Sequence, residues 1–152
     1  MKYVYSTEIH QSLARVIILF NNQENLLEWM PNIVSLELIS GDQSDVGAIS
    51  KLVFKTKTLD YEAIETITKK RLPFLFTRTY KMRDIIIEVN DSFTNAGKNL
   101  VSYESKVQVS YRGLMLSIGW SMGWYFKKMM RKRMTGFKHF AENYVELTSP
   151  TT

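Results

Sequence analysis

The sequence has no cysteine and only two histidines, His10 and His139. The first shortage removes disulfides, thiolate zinc sites and thiol nucleophiles together. The second leaves too few parts for a histidine-dependent triad or an imidazole metal site, because neither histidine has a ligand-type partner at helical or hairpin spacing. Asp42 and Asp45, in the turn from Gly41 to Gly47, are turn residues and too few for calcium, which takes about six to eight oxygens. No cofactor and no metal are expected. Long apolar runs are missing as well. Nothing reaches the roughly 18 residues of a membrane span, and the opening MKYVYSTEIH puts polar residues where a signal peptide carries its apolar core. A cytoplasmic location is the expectation, and the sequon Asn90-Asp91-Ser92 is then incidental.

What is present is ordinary globular composition: 152 residues, 45% hydrophobic and 23% charged. That length suits one domain, expected over residues 1–147 with a polar tail at 148–152. The net charge of +5 helps to attract anionic partners. Nucleic acid is not expected among them, because the basic residues lie on one helix stripe and on outward strand positions without an aromatic platform.

Lys2 to His10 alternates, with Tyr3, Tyr5, Thr7 and Ile9 on one side, and predicts a half-buried strand. Ser12 can cap a helix through LARVIILF, Asn21-Asn22 breaks it, and a second short helix, NQENLLEWM, stops at Pro31. Six strands then follow: IVSLELI, AISKLVFKTKT, YEAIETITK, FLFTRTYKM, IIIEVNDSF and LVSYESKVQVSY, the last two joined by a turn at Asn95-Ala96-Gly97-Lys98. Short turns between successive strands imply an antiparallel meander. After Gly113 the apolar spacing changes to three and four, predicting one long terminal helix. Its covered half would carry Met115, Ile118, Met122, Tyr125, Phe126, Met129, Phe137, Phe140 and Tyr144.

This order of elements resembles the helix-grip fold of the SRPBCC superfamily, the START-like and polyketide cyclase/dehydratase-like proteins. The residues agree with the order: a strand into a short helix, an Asn-rich segment with Trp29-Met30-Pro31, an outgoing strand ending at Gly41-Asp42, and Val46-Gly47 entering the next strand. The resemblance covers Tyr3 to Glu146. It implies an α+β fold in which a curved antiparallel sheet wraps a long C-terminal helix around a deep cavity. Such motifs specify fold well and activity poorly.

Strand alternation gives the lining independently. Ser50, Leu52, Phe54 and Thr56 share the inward face of one strand, Phe74, Phe76, Arg78 and Tyr80 that of another, and Val101, Tyr103, Ser105, Val107 and Val109 that of the last. Met115, Met122 and Met129 recur every seven residues on the helix, joined by Met130 and Met134, and read either as core or as a pliable wall. Arg78 needs a partner inside, either Glu65 or a ligand carboxylate. Arg133 projects into the apolar half of the helix and is expected to snorkel to its rim. The expected ligand site is Trp29 near the mouth with Phe54, Phe76, Arg78, Tyr80, Tyr103, Met122, Phe126 and Met129.

Trp120 and Trp124 continue into Lys127, Lys128 and Arg131 on the side away from the core. That stripe suits an anionic membrane surface, a protein partner or a homodimer contact, unless a kink at Gly119 or Gly123 turns the rings into the cavity mouth. Gly119-Trp120-Ser121-Met122-Gly123 matches the nucleophile-elbow pattern G-x-S-x-G, but Ser121 lies in a helical pattern with no strand-to-helix turn, so the match is accidental. The expected function is therefore binding of a small, mostly apolar molecule: a lipid, an isoprenoid or an aromatic. The alternatives are a cyclase/dehydratase-like enzyme, with Arg78 polarising a carbonyl and Tyr80, Tyr103 or Glu65 moving a proton, and an interaction module built on the tryptophan stripe.

Overall fold

The computed structural model describes residues 1–57 and 60–144; the expected polar tail lies outside the described residues. β1 (Lys2–Ile9) opens the chain and is followed by α1 (Leu13–Asn21), a 3-10 turn at Gln23–Asn25 and the single-turn α2 (Leu26–Trp29). Ser12 caps α1 as its residue type suggests, its hydroxyl accepting from the Arg15 amide at 3.3 Å. The meander then runs through β2 (Ile33–Ser40), β3 (Ile49–Lys55), β4 (Asp60–Arg71), β5 (Leu75–Met82), β6 (Ile85–Gly97) and β7 (Leu100–Tyr111). All pairings are antiparallel, in the order β1-β7-β6-β5-β4-β3-β2. The first strand thus returns to pair with the last, Lys2 opposite Gln108 through Ile9 opposite Val101.

Alternation decides which side chains face the helix. Ser50, Leu52 and Phe54 of β3, Ala63, Glu65 and Ile67 of β4, Phe76, Arg78 and Tyr80 of β5, and Val101 through Val109 at every second position of β7 are all buried. Phe74 departs from the expected inward set. It belongs to the turn closed by its own amide onto the Arg71 carbonyl at 2.8 Å, so strand alternation no longer applies, and its side chain is 78% exposed. β6 also reaches further than expected, through Gly97, leaving Lys98 and Asn99 as the hairpin turn.

The long C-terminal helix is α4 (Gly123–Glu142), and its N-terminal extension is not one continuous rod. Met115–Ile118 forms a single turn, α3, and Gly119–Met122 a 3-10 turn before α4 begins. The cause is local. Gly119 is packed so tightly on the Tyr111 ring that a Cβ there would sit 2.6 Å from it, and two glycines in five residues weaken the helix by about 1 kcal/mol each. Ile118 is consequently exposed rather than covered, and Tyr144, beyond the end of α4, is 37% exposed. The face of α4 that is buried consists of Phe126, Met130, Arg133, Met134, Phe137 and Ala141.

Two apolar clusters fill the grip. In one, Phe20 of α1 is ringed by Trp29, Phe76, Phe93, Tyr103 and Phe137 at centroid distances of 4.9–6.0 Å. Burying a side chain such as Phe137 contributes about 1.5–3 kcal/mol, so this aromatic box is a principal anchor of α1 and α4 on the sheet. The other cluster joins Leu52, Phe54, Ala63, Tyr80, Ile87, Val89, Val107 and Val109 to Phe126 and Met130.

Candidate ligand-binding site

The second cluster leaves a gap. Between the sheet and α4 lies a slot of about 50 Å³. Its apolar walls are Met30 and Pro31 after α2, Phe54, Ala63, Met82, Ile87 and Val89 from the sheet, and Met129 and Met130 from α4, with Tyr61, Tyr80 and Arg133 adding polar groups. Phe54 and Tyr61 stack at 4.9 Å with their planes 11° apart, and the Tyr61 hydroxyl reaches the Met129 sulfur at 3.9 Å. One water needs about 10–15 Å³ and a drug-sized ligand roughly 300–1,000 Å³, so the slot holds small molecules of water size and must widen for anything larger. The deep cavity that the resemblance implies is narrowed here because the Phe20 box occupies the other half of the grip.

Of the residues expected to line the site, Phe54, Tyr80 and Met129 face the slot. Trp29, Phe76 and Tyr103 sit in the aromatic box, Phe126 packs in the wall, and Met122 flanks it. Arg78 lies deeper and off the slot. Its guanidinium is held between the Phe20 and Phe76 rings at 4.8 and 4.2 Å, with its Nε 3.9 Å from the Glu65 carboxylate. Both side chains are 1% exposed, and the other Glu65 oxygen accepts from the Gln23 amide at 2.6 Å. An ion pair between neighbouring inward strand positions is thus the observed state of Arg78.

Arg133 does not snorkel. It turns into the core, donating from Nη2 to Asp91 Oδ2 at 3.1 Å, and from Nη1 to Asp91 Oδ1 at 3.3 Å and the Tyr103 hydroxyl at 2.9 Å. The Tyr103 hydroxyl in turn donates to Asp91 at 2.8 Å. Removal from water alone would lower the Arg133 pKa, but the Asp91 carboxylate more than offsets this and holds it well above its ordinary value. Snorkelling fails because an inward carboxylate already awaits at mid-helix. Asp91 continues the inward phase of Ile87 and Val89, and that alternation is the signal by which the pair could have been anticipated.

Several buried polar atoms around this region make no hydrogen bond among the described residues: the Tyr80 hydroxyl, Glu65 Oε2, Arg78 Nε and Nη1, Ser105 Oγ and Arg133 Nε. Burial, with the Glu65 carboxylate opposite, pushes the Tyr80 phenol above its ordinary range, so at neutral pH it is a hydrogen-bond donor and not a base. Tyr103 is raised chiefly by burial as well, and its hydroxyl is already committed to Asp91 and Arg133. The slot therefore offers mostly apolar walls with the phenols of Tyr61 and Tyr80 and the flank of one guanidinium. Tyr61, Met30 and Met82 line the slot without belonging to the expected set, and Gln23, which holds Glu65 outside the slot, carries no sequence signal, since nothing distinguishes it from a surface glutamine.

Ser121 sits in the exposed 3-10 turn with its hydroxyl on the Ile118 carbonyl at 2.6 Å, far from any nucleophile-elbow geometry. A larger but open groove, of about 540 Å³, runs along the outer face of α4 past Trp124, Lys128, Arg131 and Lys132. It is lined by cations and bounded by solvent, so it is a poor host for an apolar guest. Among the described residues no group of acidic, histidine or cysteine side chains could hold a metal, and no helix is long and apolar enough to cross a membrane.

No family model matches the sequence, and no curated protein matches it. Solved structures do. The Zhui aromatase/cyclase from Streptomyces sp. R1128 superposes with a TM-score of 0.81 at 6% identity, covering 97% of this chain and 96% of that one. Norcoclaurine synthase from Thalictrum flavum, in complex with dopamine and hydroxybenzaldehyde, gives 0.74 at 12% identity over 96% and 89%. A conserved protein from Geobacillus kaustophilus gives 0.75 at 16% identity over 93% and 95%. At such identities the likeness is one of fold, and the fold is defined: a curved antiparallel sheet gripping a long C-terminal helix, the helix-grip architecture.

Proposed function

We propose that the protein binds a small, mostly apolar molecule bearing one polar group, in the slot between the sheet and α4. The observation that carries this reading is the slot itself, a gap of about 50 Å³ between sheet and helix whose mostly apolar walls include three polar side chains, Tyr61, Tyr80 and Arg133. A hydrogen bond from one of these groups to a ligand oxygen would contribute about 0.5–1.5 kcal/mol. The four methionines Met30, Met82, Met129 and Met130 are unbranched and change rotamer at little cost, so they supply the widening the slot needs. Phe54, Tyr80 and Met129 are the contacts retained from the expected site, with Trp29, Phe76, Arg78, Tyr103, Met122 and Phe126 as the wall behind them. Native mass spectrometry of the purified protein, followed by organic extraction, tests the reading: a bound apolar molecule is expected. A bare protein that also takes up none of p-cresol, farnesol and oleate rejects it.

A second reading, a cyclase- or dehydratase-like enzyme, is favoured by the cross-strand pair Tyr80 and Glu65, both buried, with Arg78 on the same strand as Tyr80. A phenol held protonated would act as the acid in such a reaction. Turnover of an aromatic polyketide mimic that is abolished in Tyr80→Phe would establish it over simple carriage.

A further inference from the structure

The ligand reading leaves one surface unused, from Arg112 at the end of β7 to Thr135 in the middle of α4. Three observations converge on it. From Ser105 to Ala141 the sequence contains no aspartate or glutamate. Within that stretch Arg112, Lys127, Lys128, Arg131 and Lys132 are exposed, whereas Arg133 is spent on Asp91 and Lys138 on Glu142. Beside these cations the break at α3 and the 3-10 turn puts large apolar side chains in solvent: Leu114 at 85%, Leu116 at 70%, Ile118 at 55%, Trp120 at 76% and Trp124 at 69% exposure. Five large exposed apolar side chains gathered within eleven residues of a folded chain mark a contact surface.

We propose that this surface docks on an anionic lipid bilayer. Leu114, Leu116, Ile118 and the two indoles enter the boundary between headgroups and acyl chains, where tryptophan is favoured. The α4 cations lie along the groove of Trp124, Lys128, Arg131 and Lys132 and meet the negative headgroups. Charge decides against a second copy of the chain as occupant. A twofold contact would press these cations, which form no salt bridge among the described residues, against themselves. A nucleic acid would use the cations but give Leu114, Leu116 and Ile118 no apolar surface to bury against. The inference stands whether or not the slot holds a guest.

Cosedimentation of the full chain with vesicles tests it. Binding is expected to vesicles of phosphatidylcholine with phosphatidylserine, to weaken as salt is raised, and to be far weaker on phosphatidylcholine alone. Trp120→Ala with Trp124→Ala should weaken it at least about tenfold, with the remaining tryptophan fluorescence and thermal melt unchanged. Lys128→Gln with Arg131→Gln removes two charges and should weaken it about thirtyfold. Absence of binding to the anionic vesicles, or binding indifferent to both double variants, overturns the proposal. So does tighter binding of a labelled oligonucleotide, or a dimer in sedimentation equilibrium that Trp120→Ala with Trp124→Ala dissociates.

Discussion

Arg133 of α4 and Asp91 of β6 form a two-point ion pair inside the grip, with side chains 4% and 0% exposed, and the Tyr103 hydroxyl bridges them. Two charges removed from water in this way gain from each other roughly what their desolvation costs. Their attraction fixes the rotation of α4 about its axis, because the helix cannot turn without drawing a guanidinium off its carboxylate. The slot is bounded on one side by that same Arg133. One contact therefore ties the orientation of the helix to one wall of the site.

Asp91→Asn keeps the shape and removes the charge, leaving Arg133 buried and uncompensated. Unfolding in urea should report a loss of about 3–5 kcal/mol. A loss below about 1 kcal/mol, with the fold retained, would mean that the pair does not position α4.

Tyr80 and Tyr103 both have folded-state pKa values above the ordinary 10.0, in each case chiefly through burial. The unfolded chain therefore ionises these phenols first. Their contribution to stability is complete below pH 10 and declines as pH rises through and beyond that value. Phenolate absorbance from these two should appear only together with loss of the near-ultraviolet circular dichroism. Tyr80→Phe, which deletes the phenol opposite Glu65, should change stability at pH 7 by no more than about 1.5 kcal/mol and should flatten the alkaline decline. Titration of all eight tyrosines in a chain that stays folded would contradict this.

Gly136 lies where α4 crosses the end of α2, and a Cβ there would clash with the Trp29 carbonyl oxygen. In an exposed helix Gly→Ala gains about 1 kcal/mol. Here the clash with backbone outweighs that gain, so Gly136→Ala should lower the melting temperature and loosen Trp29, seen as a red shift of its fluorescence. A higher melting temperature would show that the two helices are further apart than this packing requires.

The architecture was legible because it rests on period. Alternation placed Leu52, Tyr80 and Tyr103 inside, and three- and four-residue spacing placed Phe126 and Phe137 on the covered face of the helix. Where period ends, so does legibility: Phe74 left the inward set because a turn, not a strand, holds it. The helix break at Gly119 follows from its contact with Tyr111, which is distant in sequence and invisible to spacing. The polar interior was half legible. Arg78 with Glu65 could be read from adjacent strands, whereas Arg133 with Asp91 needed the inward phase of β6 to be matched against the helix. The size of the slot was not legible at all, because it depends on how far Phe20 inserts between Phe76, Phe93 and Phe137.

The claim that a guest occupies the slot is tested most directly by the methyl resonances of the methionines, assigned by substitution, during titration with p-cresol, farnesol and oleate. Saturable, concerted shifts of Met30, Met82, Met129 and Met130 with at least one of the three are expected, abolished by Ala63→Met, which fills the slot from β4. Shifts confined to Met115 and Met122, or none with any of the three, would contradict it.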